Sequence, residues 1–310
     1  MSIALLFPGQ GSQRAASGAA WQASAQWSLV DAAARAADRD VAHLLTGADD
    51  AELLDTANAQ LSTYLISLLV AAALADAGVV AEHVAGHSLG EYTALSAAGV
   101  LPLEHGARLV AARGDAMRVA AATNPGTMAA LIGLEVGVVE DICVTTGGDV
   151  WVANDNAPGQ VVVAGAADAI DAAGVLAKER GARRPMPLQV AGAFHTPYMQ
   201  PAQAALDAAL AAVEFQTATA LPWANVDAAA HPSPTATDAA GWAAVLSGQL
   251  CSRVRWREEI AAMAAAGVDT FVEVGPGTVL SGMVKRIAPD ARRFSCATPD
   301  EVATVAQNLR

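Results

Sequence analysis

Apolar residues are distributed along this 310-residue chain in two ways. Short unbroken runs closed by Gly or Pro read as buried strands, whereas long stretches with apolar positions three and four apart read as helices. Ile3-Ala-Leu-Leu-Phe7, stopped by Pro8 and Gly9, is of the first kind. Alanine-rich helical stretches then fill much of residues 17–80, broken by the turn Thr46-Gly-Ala-Asp-Asp50 and stopped at Gly78. The run from Leu65 to Ala75 is the most apolar. Interrupted by Ser67 and shorter than the ~18–20 residues of a membrane span, it reads as a buried helix. His83 to Gly90 reads as a brief strand and a turn, and Glu91 to Ala98 as a helix ended by Gly99.

Between about residues 126 and 190 the elements shorten. Thr127 to Leu134 reads as strand and Val136 to Thr145 as helix. Val150 to Asn154 and Gln160 to Ala164 read as strands joined across Asn156-Ala-Pro-Gly159, followed by a helix from Ala166 to Arg180 and a strand from Arg184 to Val190. This βαββαβ order is the split βαβ, or ferredoxin-like, arrangement, for which about 65 residues is a natural size. A helix from Pro197 to Val213, a strand from Leu221 to Asn225 and helices from Asp238 to Leu250 and Trp256 to Ala266 come next. The strand Thr270 to Val274 then ends in Gly275-Pro-Gly277, before a final helix. Alternating strands and helices imply a mainly parallel sheet covered on both faces. The expected architecture is α/β, with 1–125 and 191–310 as a large unit and 126–190 as an inserted ferredoxin-like one.

Composition narrows the class. With 54% hydrophobic residues, 16% charged residues and a mean hydropathy of +0.34, the chain can bury a large core and lacks the composition of a disordered one. Its 31 acidic against 18 basic side chains give a net charge of −13, which argues against a nucleic-acid partner, because phosphates demand a concentrated basic surface. No basic region precedes the first apolar residues, so a secretory signal is not expected. Cys143, Cys251 and Cys296 are odd in number and far apart, fitting neither a disulfide framework nor a zinc site. A cytoplasmic protein without metal, cofactor or membrane partner is expected. Nothing demands an obligate dimer, so a monomer is expected.

Gly86-His-Ser-Leu-Gly90 places G-x-S-x-G between a strand and a helix, which makes Ser88 a candidate nucleophile at a sharp turn. A Gly-rich turn with a serine N-cap explains the same residues equally well. Serine needs a base, and the histidines differ in their surroundings. His43, His83, His105 and His231 have no special local chemistry, while His87 adjoins Ser88 at a turn where neighbouring side chains diverge. His195, in Gly192-Ala-Phe-His-Thr-Pro197, lies on a loop entering a helix, where a folded sheet could bring it to the turn. Arg113 shares a helix face with Gly106, Val110 and Met117, and a guanidinium on that face needs a partner. Either a structural ion pair or a clamp for a substrate carboxylate would supply one.

Phe7-Pro-Gly-Gln-Gly-Ser-Gln13, Gly86-His-Ser-Leu-Gly-Glu-Tyr92, Arg113-Gly114, Asn156-Ala-Pro-Gly-Gln160, Gly192-Ala-Phe-His195, Gln249 with Val254-Arg-Trp256, and Glu273-Val-Gly-Pro-Gly277 follow one another in order. Together they resemble malonyl-CoA:acyl carrier protein transacylases over nearly the whole chain. The resemblance implies an α/β-hydrolase-like large domain with a ferredoxin-like insert. It implies that Ser88 attacks the thioester of malonyl-CoA, that His195 is its base, and that the malonyl group passes from Ser88 to the phosphopantetheine thiol of acyl carrier protein. It further implies an oxyanion hole from Gln10 and the Leu89 N–H, and a histidine oriented by the backbone carbonyl of Gln249 with no catalytic aspartate. Arg113 would bind the malonyl carboxylate, and Phe194 would hinder an α-methyl group.

The chain departs from the family pattern at Arg14-Ala-Ala-Ser-Gly18, so the CoA contacts of that loop do not carry over. Only two lysines occur, so recognition of an acidic carrier would rest on Arg253, Arg255, Arg257, Arg286, Arg292 and Arg293 with Lys285, each of which also reads as an ordinary solvated charge. A serine esterase or thioesterase is the rival reading, but the acids between Ser88 and His195, such as Asp168, Asp171 and Glu179, fall in a helix of the insert. A non-catalytic carrier-binding module would have no use for Ser88, His195 and Arg113 together. The transferase subunit of a malonate decarboxylase system is a variant of the first reading.

Overall fold

The computed structural model describes residues 1–183, 185–232 and 239–310. Its strands are β1 (Ile3–Phe7), β2 (His83–Gly86), β3 (Thr127–Ile132), β4 (Val150–Ala157), β5 (Gln160–Gly165), β6 (Met186–Pro187), β7 (Leu221–Ala224), β8 (Ala229–Ala230), β9 (Thr270–Val274) and β10 (Arg292–Cys296). They form two sheets in an α/β fold. The larger has the order β10-β9-β1-β2-β7-β8, parallel from β10 to β7, with β8 antiparallel at the edge. The smaller, β4-β5-β3-β6, is antiparallel throughout.

β1 is buried along its whole length at the centre of the large sheet, as its unbroken apolar run requires. The helix Thr56–Asp76 begins at Asp55, whose carboxylate accepts from the N–H groups of Ala57 and Asn58 at 2.9 and 3.1 Å. Its 21 residues exceed the apolar run read from the sequence and make it long and apolar enough to cross a membrane, yet 78% of its most apolar window is buried inside the protein. Glu273, on β9, is buried and caps the helix Val279–Ile287 by accepting from the N–H groups of Leu280 and Ser281 at 3.0 and 2.7 Å.

Several boundaries differ from expectation for identifiable reasons. The strand expected from Arg184 to Val190 shrinks to Met186–Pro187, because Pro185 and Pro187 donate no N–H to a ladder; Arg184 itself lies outside the described residues. β4 runs three residues past Asn154 through two register shifts, because its second half also pairs outside the small sheet. There Asp155 N–H donates to the Val254 carbonyl, and Val254 N–H to that of Ala153, both at 2.9 Å. This stitch joins the two sheets' territories. The helix expected from Pro197 to Val213 is a 3₁₀ turn, Pro197–Met199, followed by Gln200–Leu210. Asp238, the expected start of the next helix, lies outside the described residues, and that helix is described from Ala239 to Cys251. The helix after Gly277 is not the last element. β10 and a capped helix, Pro299–Asn308, follow it.

Candidate active site

β2 ends at Gly86 and the next helix starts at Gly90, leaving three residues to reverse direction. Ser88 takes the left-handed region at φ 55, a conformation that costs an L-residue about 1 kcal/mol or more and lifts its side chain from the turn. The glycines permit the crossing. A Cβ on Gly86 would lie 1.9 Å from the Gly90 backbone, and one on Gly90 would lie 2.0 Å from the Phe7 carbonyl oxygen. Leu89 N–H finds no acceptor among the described residues, as expected of the first amide of a helix reached through so tight a turn.

His195 meets Ser88 across 107 positions of sequence, with Nε2 2.7 Å from Oγ. It too is left-handed, at φ 60, and it is buried. Nδ1 lies 3.0 Å from the Gln249 backbone carbonyl, which can only accept, so Nδ1 carries the proton and Nε2 is free to take one from Ser88. Burial, reinforced by the nearby Arg113 cation, lowers the imidazole to about 3.

Arg113 is buried on the long helix Leu103–Thr123, as are Gly106, Val110 and Met117 of its face. Its partners are neutral. One terminal nitrogen donates to Gln60 Oε1 at 2.6 Å, the other to Gln249 Oε1 at 3.1 Å and toward Ser88 Oγ at 3.3 Å, and the guanidinium stands 5.3 Å from the Tyr92 ring centroid. Its Nε has no partner among the described residues. Among the described residues the structural ion pair is therefore not formed, and a buried cation faces Ser88 with donor capacity to spare.

These groups line a cavity of about 270 Å³. Ser88, Gln10, Arg113, His195 and Phe194 form its floor and sides, while Met128, Ala130 and Val162 of the small sheet form the opposing wall. Gln160, also in the lining, accepts from Arg286 at 2.8 Å, and Arg286 donates as well to the Pro158 carbonyl. His87 turns away from Ser88. Its Nε2 pairs with Asn156 Oδ1 at 2.8 Å, and its ring packs edge-on against Trp256.

Below the cavity lie residues that the sequence reasoning passed over. Gln60 orients Arg113 and reaches Gln10 at 3.5 Å. Asn225 accepts from Ser88 N–H at 2.8 Å, and Glu91 and Glu259 are fully buried beside it. Glu259 shares a buried face with Trp256, Ile260 and Met263, the same signal of a charge among apolar neighbours that singled out Arg113. Among the cations considered for carrier recognition, Arg253 pairs with Glu140, Arg255 with Glu258 and Arg257 with Asp155 at 2.8 Å. Arg292 and Arg293 bond to backbone carbonyls, whereas Lys285 is exposed. Asp168, Asp171 and Glu179 lie on the helix Ala167–Glu179 and do not line the cavity.

Residues 4–306 match the acyl transferase domain family. The chain belongs to that family. This acyltransferase domain is 37% identical to the malonyl CoA-acyl carrier protein transacylase of Bacillus subtilis, over 99% of its own length and 97% of that protein's. It superposes on the acyl-carrier-protein S-malonyltransferase of Bartonella henselae with a TM-score of 0.93 and 36% identity, covering 100% of this chain and 99% of that one. A malonyl-transacylase solved in complex with its type II PKS acyl-carrier protein gives the same TM-score at 32% identity, covering 99% of this chain and 100% of that one.

Proposed function

We propose that this acyltransferase domain moves a malonyl group from malonyl-CoA to the phosphopantetheine thiol of an acyl carrier protein, through a malonyl ester on Ser88, in fatty-acid or polyketide synthesis. One observation carries the reading: a serine and an imidazole 2.7 Å apart share a cavity with a buried guanidinium that has no acidic partner among the described residues. The names of relatives matching nearly the full chain support it.

Ser88 Oγ attacks the thioester carbonyl while its proton passes to His195 Nε2. The tetrahedral oxyanion is held by Leu89 N–H, which has no acceptor among the described residues, and by Gln10. Collapse breaks the C–S bond, His195 returns the proton to the departing CoA sulfur, and malonyl remains esterified to Ser88. The carrier thiol then attacks that ester, giving its proton to His195, which returns it to Ser88 Oγ as the ester breaks. The route is ping-pong. Arg113 binds the free carboxylate, and an acetyl group would leave that cation unanswered. Phe194 crowds an α-methyl branch. The esterase reading gains nothing from His195, whose second nitrogen faces a carbonyl and not the carboxylate of a triad.

In this reading 1–125 and 191–310 form a hydrolase-like unit and 126–190 a ferredoxin-like one. The β4-β5-β3-β6 order, in which β5 separates two strands linked through a helix, supports the latter. Free thiols at all three cysteines agree with a cytoplasmic setting, and the protein acts as a monomer that needs no metal or resident cofactor. Intact-mass spectrometry after mixing with malonyl-CoA, without acceptor, should show one malonyl adduct that Ser88→Ala abolishes. An unchanged wild-type mass would overturn the mechanism.

A further inference from the structure

We propose that Glu91 and Glu259 are positioning residues for the Ser88 turn, acting through Asn225 and Gln249 and never on the substrate. The inference rests on the Ser88–His195 chemistry above and adds residues to it. Neither glutamate lines the cavity, and both are fully buried, on the helices Gly90–Ala97 and Trp256–Ala265.

Two side-chain amides grip the backbone of Ser88. Asn225 Oδ1 accepts from its N–H at 2.8 Å, and Gln249 Nε2 donates to its carbonyl at 2.8 Å. An amide serves only in the correct orientation, since exchanging its oxygen and nitrogen sets donor against donor and acceptor against acceptor. The glutamates fix both orientations. Asn225 Nδ2 donates to Glu259 Oε2 at 2.9 Å and to the Gly86 carbonyl at 2.8 Å, which leaves Oδ1 facing Ser88. Gln249 Nε2 donates to Glu91 Oε2 at 3.0 Å, which leaves Oε1 facing Arg113. The same Glu91 oxygen accepts Asn225 N–H at 3.1 Å and so ties the two amides together. Gln249 is also the residue whose backbone carbonyl holds His195. One buried frame therefore sets the nucleophile, the base and the carboxylate-binding cation. The left-handed Ser88 is the kind of strained residue that persists only when its surroundings over-determine it.

Burial pushes the Glu91 carboxyl up to about 7 and Glu259 well above the usual carboxylate range. What the frame uses is thus an acceptor oxygen more than a charge, and glutamine offers the same acceptor. The test compares Glu91→Leu, Glu259→Leu, Glu91→Gln and Glu259→Gln with wild type in single-turnover acylation by malonyl-CoA, with KM and thermal melting measured alongside. Each folded Leu variant should acylate about 100-fold more slowly, with KM within about twofold, and each Gln variant should recover to within about tenfold of wild type. A folded Leu variant at the wild-type rate, a loss confined to KM, or a Gln variant as slow as its Leu counterpart would overturn the proposal. Should neither Leu variant fold, the Gln pair decides, and a loss beyond tenfold there refutes an acceptor role. A wild type that fails to acylate would refute the Ser88 chemistry instead, which keeps the two failures apart.

Discussion

Around the Ser88 turn the protein buries Gln60, Glu91, Arg113, Asn225, Gln249 and Glu259 within reach of one another, whereas the small sheet packs Leu131, Val139, Ile142, Val163 and Ile170 between itself and two helices. Both regions are buried, and they are held together differently. Apolar packing is non-directional, so it fixes shape without fixing the aim of any single atom. Buried amides and carboxyls cost about 1–3 kcal/mol each when left unpaired, and they therefore tolerate few arrangements. Orientation in this molecule is concentrated around Ser88 and His195. The small sheet contributes a wall.

That contrast is open to attack at three strengths of effect on rate. The largest belongs to Arg113→Ala, which should lower malonyl transfer about 100-fold and acetyl transfer less than threefold, as expected when a carboxylate loses its one buried cation. Parallel rates with both thioesters would show equal losses if the guanidinium served only the fold. Leu131→Ala, on the other side of the comparison, should cost about 2–5 kcal/mol of stability by urea denaturation. It should leave the acylation rate of the folded protein within about twofold. A large rate loss there would mean that the wall also aims the chemistry. The smallest effect is with pH. His195 must be neutral to take the Ser88 proton, and with its pKa lowered to about 3 the neutral form dominates at every higher pH. Acylation by the free enzyme should therefore stay flat from about pH 5 to 8 and fall only as pH approaches 3. A midpoint near 6.5 in stopped-flow acylation would reveal a histidine open to water.

Much of this arrangement is legible in the chain. β1, the turn at Ser88 and β9 announce themselves as apolar runs closed by glycine or proline, and Arg113 stands out as a charge on an apolar face. Glu259 sends the same signal among Trp256, Ile260 and Met263, but attention to cations passes over it. Asn225 reads as the end of a strand. Its importance comes from β7 lying beside β2, which places it against a residue 137 positions away, and no local pattern encodes that. β10 is obscured because an edge strand tolerates the polar sequence Arg292-Arg-Phe-Ser, and β6 because its prolines limit the ladder. The expected βαββαβ order emerges nonetheless, since Gly159 and the alternation around it mark the hairpin of β4 and β5.

Ser88 and His195 share an uncommon backbone handedness, and they come from distant stretches of the chain. Neither local shape is one that a free polypeptide favours. In the proposed mechanism a nascent or partly melted copy would thus carry every reactive atom and no reactivity. Thioesters would then be safe from half-assembled protein, and turnover would double as a gauge of completed folding.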